Sequence, residues 1–168
     1  MRTERLTRLS FLIAAAMILS WVESLIPAFT AVPGVKIGLA NTASLFAMYY
    51  LSDKDAWIVA VVRILLSSVL FGNLFALVYS ISGAVVSLAV MTLLKKTKVF
   101  SVTGVSIAGA VSHNAGQVAC AMLIMETKGL MYYMVPLIFS GIAAGLVIGI
   151  LSGLLLNRLS PDRIKNIH

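Results

Sequence analysis

Six long apolar runs, separated only by short connections, constrain this chain more than any other feature. They cover about residues 9–26, 35–51, 56–71, 74–94, 102–125 and 132–156. A helix needs roughly 20 apolar residues to cross the hydrocarbon core, and fewer where neighbouring protein shelters it. The sequence therefore predicts an all-α integral membrane bundle of six transmembrane helices. Composition agrees: 60% of the 168 residues are hydrophobic, 11% are charged, and mean hydropathy is +1.02. An ordinary soluble domain has about a quarter of its residues charged. Too few polar residues remain to cover a water-facing surface, which excludes a soluble globular fold.

The joints are tight. Ser52-Asp53-Lys54-Asp55 reads as a turn between helices 2 and 3, and little more than Gly72-Asn73 joins helices 3 and 4. With no linker and no low-complexity segment, residues 1–168 read as one domain, without room for a soluble catalytic unit. Arg2, Arg5 and Arg8 before an apolar stretch also fit a signal peptide, but residues 24–33 offer no clean small-x-small cleavage site. The segment reads as the first membrane helix.

A net charge of +7 would suit nucleic acid, yet the basic residues cluster between the apolar runs. That is a topology signal, not a phosphate-binding stripe, and the expected surroundings are a lipid bilayer. A cytoplasmic N-terminus puts Arg2, Arg5, Arg8, Lys54, Lys95, Lys96, Lys98, Arg158, Arg163 and Lys165 inside, ten of the thirteen basic residues. Lys36 and Lys128 fall outside, and Arg63 lies within helix 3. Both termini are expected in the cytoplasm.

Small residues mark close helix packing. Helix 6 carries Gly141, Gly145, Gly149 and Gly153, and helix 4 carries Ala76, Ser80 and Ala84. Both rows read as packing within the bundle. For Ser10, Ala14, Ala15, Ala16 and Ser20 on helix 1, internal packing and a partner protein both remain open.

Charged side chains at membrane depth are costly and usually paired or functional. Glu23, Lys36, Asn41, Arg63, His113, Asn114 and Gln117 all fall between the midplane and the outer surface, while the cytoplasmic halves are almost purely apolar. A path for a proton or ion needs polar groups in both halves. One cluster in the outer half points instead to a pocket open to the outside. Lys36 and Arg63 against Glu23 leave a surplus positive charge that suits a carboxylate or phosphate. His113 and Gln117 share a helix face, and Asn114 lies about 100° away. Blander roles stand beside these: a structural Glu23–Arg63 ion pair, a snorkelling Lys36, a core His113, and Asn41 as a cap or cross-link.

Recognisable chemistry is absent. There is no P-loop and no Gly-rich dinucleotide motif. Asp53 and Asp55 lack the paired-aspartate clusters of a prenyl diphosphate synthase, and Cys120 is the only cysteine. Neither catalysis, nor a metal, nor a cofactor is expected.

Four segments carry a resemblance: Ser20 to Pro27, Pro33 to Asn41, Arg63 to Ser67, and Gly109 to Gln117. They resemble the Gx transporter family, whose members are often labelled heptaprenyl diphosphate synthase component I. That family is similar to the substrate-binding S-components of energy-coupling factor transporters. The resemblance implies a prokaryotic plasma-membrane protein that captures a small micronutrient, such as a vitamin, from outside. It implies partners too: a transmembrane coupling protein docking at Ala14, Ala15 and Ala16, and ATPase subunits that power uptake. The alternative is a non-catalytic membrane subunit linked to prenyl or quinone synthesis or to membrane electron transfer.

Overall fold

The computed structural model of the chain describes residues 2–25, 38–71 and 74–159. These form α1 (Arg2–Leu25), α2 (Asn41–Tyr50), α3 (Asp53–Phe71), α4 (Leu74–Thr97) and α5 (Val102–Met125). A 3-10 turn over Lys128–Tyr133 then leads into α6 (Met134–Leu159). The described residues contain no strand.

Four stretches are long and apolar enough to cross a membrane: Thr3–Leu25, Leu74–Thr97, Val102–Met125 and Gly129–Leu159. The third helix, with 19 residues, has the length, but it carries Asp53, Lys54, Asp55 and Arg63. α2 differs most from expectation. It has ten residues, which at 1.5 Å each span about 15 Å, half the hydrocarbon thickness. The expected helix over 35–51 therefore starts only at Asn41, with residues 35–37 outside the described ones. Gly38 is the reason. Its φ of +77° is left-handed, a conformation that glycine adopts without steric cost. The turn it makes is closed by the Asn41 N–H donating to its carbonyl at 2.8 Å.

So short a helix persists because protein surrounds it. Thr42 through Tyr49 are all buried, and α2 packs against α1, α3 and α6. A helix that is buried on every side belongs at the centre of a fold. Around it α1 leans on α3, α3 on α4, α4 on α5, and α5 on α6.

Caps set the other boundaries. Ser52 Oγ accepts the Asp55 N–H at 3.2 Å and donates to the Asp55 carboxylate at 2.7 Å. This reciprocal cap starts α3 at Asp53, three residues before the expected Ala56. Ser101 caps α5 by accepting the Gly104 N–H at 3.2 Å. α4 runs about one turn past the expected Leu94 to Thr97, with Lys95 and Lys96 in its last turn, cations that suit a helix C-terminus.

The glycine row of α6 works through only part of its length. A Cβ on Gly145 or Gly149 would lie 2.6 Å from the Cα of Ile107 or Thr103, so these glycines bring α6 onto the α5 backbone. Gly153 faces open space and does not belong to the packing row expected of it.

One end of the bundle is fastened by ions. The Arg5 guanidinium reaches the Asp55 carboxylate at 2.5 Å, and Lys95 Nζ lies 2.5 Å from both the Asp53 carboxylate and the Met48 carbonyl. Arg8 lies over the Tyr50 ring, 5.6 Å from its centroid. The start of α1, the α2–α3 turn and the end of α4 therefore meet at the same end. Both acids of that turn are engaged in holding helices together.

Candidate binding cavity

At the opposite end, α1, α3, α4, α5 and α6 enclose a cavity of about 640 Å³ with the first residue of α2 in its floor. Drug-sized ligands occupy pockets of about 300–1,000 Å³. Glu23, Asn41, Arg63, His113, Asn114 and Gln117, the six described residues expected to share a site, all line it. Lys36, the seventh, lies outside the described residues.

Arg63 projects from the middle of α3, where the charged turn at Asp53 and the long apolar remainder fix the helix. Its Nη2 donates to Asn41 Oδ1 at 3.0 Å. Its Nε is buried with no partner. The guanidinium is a strong, always-protonated, five-donor group, so at this depth it is under-satisfied. Glu23, in the last turn described for α1, accepts the Gly38 N–H. Among the described residues, no ion pair joins Glu23 to Arg63. The structural ion pair considered from the sequence is therefore not formed, and the two charges face the cavity separately.

The α5 side chains are seated by glycines on neighbouring helices. A Cβ on Gly83 of α4 would fall 2.8 Å from Gln117 Cγ and 2.9 Å from His113 Cε1. Gly83 thus leaves the space in which both side chains lie. Asn114 has a different partner. Its amide donates to the Leu137 carbonyl at 2.7 Å, and a Cβ on Gly141 would meet that amide at 3.0 Å. Asn114 ties α5 to α6 as well as lining the wall.

Sequence reasoning missed the hydroxyls. Ser20, Ser67, Ser80, Ser140, Tyr79 and Tyr133 also line the cavity. Ala76 and Ser80 were expected in a packing row, and Ser20 in a row left open between packing and docking, yet all three line the cavity; only Ala84 of the α4 row is buried. Ser67 and Ser140 donate back to carbonyls three residues earlier, at 3.2 and 3.1 Å. Ser20 Oγ is buried without a partner. The available signal was that Ser20 and Ser67 lie within a turn of Glu23 and Arg63, on the same helix faces.

Beneath the floor a crevice of about 30 Å³ runs past Asn41 and His113 to Ser44, Ser87 and Ser106. It has room for water, and Ser44 Oγ beside it has no protein partner. Among the described residues, no three His, Cys, Asp or Glu side chains converge as metal ligands would. The arrangement is one that binds: a guanidinium with a buried, unpartnered Nε, a separate carboxylate, three amides, an imidazole and hydroxyls on an apolar scaffold.

No curated protein matches the chain, and no solved structure does. Residues 12–155, nearly the whole bundle and every described cavity residue on α1 to α6, match one family. The chain belongs to the heptaprenyl diphosphate synthase component I family, also called Gx transporter.

Proposed function

We propose that this chain is a substrate-binding membrane subunit of the energy-coupling factor type, which captures a small ligand bearing an anionic group. One observation carries this reading: Arg63 lines the cavity with a buried, unpartnered Nε and only a neutral partner at Nη2. Leaving such a cation under-satisfied at membrane depth is costly, and a carboxylate or phosphate accepts from both free donor positions.

The orientation follows from charge. The end fastened by Arg5, Asp53, Asp55 and Lys95 also carries Arg8, Lys54 and Lys96, and the positive-inside rule puts it in the cytoplasm. The cavity then opens outward. With α2 taken as the inner part of the second crossing, this reading has six crossings and both termini in the cytoplasm.

Energy comes from partner subunits: a transmembrane coupling protein and ATPases. On the docking face expected of α1, Ala14 is exposed, Ala15 half-buried and Ala16 fully buried. Ala16 belongs to the core, so docking rests on Ala14 and its exposed neighbours Phe11 and Ile18. A non-catalytic role is supported by Asp53 and Asp55, both held by cations of the chain itself. The family's description favours a second reading, a subunit associated with prenyl diphosphate synthesis. Ile64, Val118, Met125 and Leu130 would line the path of an isoprenoid tail.

Native mass spectrometry separates the two. The expected result is a polar metabolite retained by the chain and an ATPase module co-purifying with it. A retained isoprenoid together with a soluble Asp-rich partner would sink the transport reading.

A further inference from the structure

The cavity contains two opposite charges that form no direct ion pair, and this says more about the ligand than its anionic group alone. The Arg63 guanidinium is anchored to Asn41, and the Glu23 carboxylate to the Gly38 N–H. Both line the same cavity, and no ion pair joins them. Other described lining groups are neutral amides, hydroxyls, an imidazole and apolar side chains. Among the described residues, a ligand that is only an anion would satisfy Arg63 and leave Glu23 facing a second negative charge with no cation of its own. A cation would do the reverse. Charges at membrane depth are tolerated where each has a counter-charge or hydrogen bonds.

We infer that the ligand is a zwitterion, its carboxylate or phosphate on Arg63 and its protonated amine or amidine-like group on Glu23. The inference rests on the binding reading above and sharpens it. The two anchors fix where each end goes. Glu23 spends one oxygen on the Gly38 N–H and keeps the other for a donor. Arg63 keeps Nε and Nη1 for an acceptor. Between them, Asn41, His113 and Gln117 on the floor and α5 wall face the middle of the ligand. A cavity of about 640 Å³ leaves room for a body between the two charged ends.

The test extracts the chain from its membrane directly into polymer-bounded nanodiscs, without detergent, and identifies the released small molecules by high-resolution mass spectrometry. The unmodified chain is compared with Arg63→Gln, Glu23→Gln and Glu23→Asp. The expected molecule carries one acidic and one basic group, with occupancy at least tenfold lower in Arg63→Gln and in Glu23→Gln, and partly kept in Glu23→Asp. Glu23→Gln still offers an oxygen to the Gly38 N–H, so the α1 end stays anchored. Should that variant fail to assemble, Glu23→Asp and the identity of the molecule decide. A purely acidic molecule, held equally by Glu23→Gln, overturns the zwitterion and leaves the binding reading standing. No molecule released from the unmodified chain overturns both.

Discussion

Arg63 of α3 reaches across the cavity floor to Asn41, the first residue of α2, with 3.0 Å between Nη2 and Oδ1. The contact ties the cation to the one helix that begins at this depth. Truncating Arg63 removes charge-assisted hydrogen bonds worth roughly 1.5–3 kcal/mol each. Arg63→Ala is expected to weaken retention of the native ligand by about 10- to 100-fold, and Lys54→Ala, at the exposed opposite end, to leave it unchanged. Occupancy by native mass spectrometry reads both, and equal losses would remove the cavity from the argument.

Gly83 and Gly153 are expected to respond in opposite directions to the same added methyl group. At Gly83 a Cβ collides with Gln117, His113 and the His113 carbonyl, all within 2.9 Å. Overpacking of that kind costs about 1–3 kcal/mol, so Gly83→Ala should lower Tm and displace two cavity side chains. Gly153 meets nothing within 4 Å. Gly153→Ala should be neutral or stabilising by up to about 1 kcal/mol, from helix propensity alone. Thermal unfolding in nanodiscs distinguishes them, and a Gly83→Ala protein as stable as the unmodified one would contradict the α4–α5 packing.

Acid should loosen the ion-fastened end. Burial works against ionisation of Asp55, but hydrogen bonds from Arg5 and Ser52 and the charge of Arg5 outweigh it, holding the carboxyl below its usual range. Its folded pKa therefore lies below the unfolded one. The stabilisation is complete above about pH 4, the ordinary aspartate value, and is lost as pH falls through the folded value. The unmodified chain should lose Tm over that acidic range. Asp55→Asn should start lower at pH 7 and lack that part of the fall. Identical acid limbs would show that the pair contributes nothing.

Lys95 and Lys96 are adjacent and unequal. Lys95 joins the Asp53 carboxylate to the Met48 carbonyl near the end of α2, whereas Lys96 is exposed. Lys95→Ala orphans both groups and should lower Tm measurably, while Lys96→Ala should not. A matching drop in the two would argue against any special role for Lys95.

Tryptophan scanning of α1 should split along its faces. Ala16 is fully buried against the core, so Ala16→Trp is expected to disrupt assembly of the bundle itself. Ala14→Trp should leave the bundle and ligand retention intact and reduce co-purification of the coupling module. Unchanged co-purification would move the docking site off this face.

Much of this was legible in the sequence because lipid imposes simple rules. Helices α1, α4, α5 and α6 show in apolar length alone, and charge at depth singled out Glu23 and Arg63, which do share a cavity with His113 and Gln117. What was not legible depended on neighbours. The buried run from Thr42 to Tyr49 reads the same whether lipid or protein surrounds it, so α2 looked like a membrane helix over 35–51, short for a full span but longer than the ten residues it has. Serines 20 and 80 are as small as packing residues, and only the tertiary arrangement reveals that they face empty space. The spacing of Gly141, Gly145, Gly149 and Gly153 could not reveal that α5 stops accompanying α6 before Gly153.

The half-length of α2 has a consequence for how the protein is made. Ten residues are too few to satisfy a bilayer's thickness, and Thr42, Ser44 and Asn41 gain nothing from acyl chains. This helix has no reason to leave an insertion channel sideways by itself. It is expected to enter the membrane as the passenger of its neighbours, folding into place once α1, α3 and α6 have built a proteinaceous slot for it. Assembly is then expected to be cooperative: a defect in any of those three helices should strand α2 and destabilise the whole bundle.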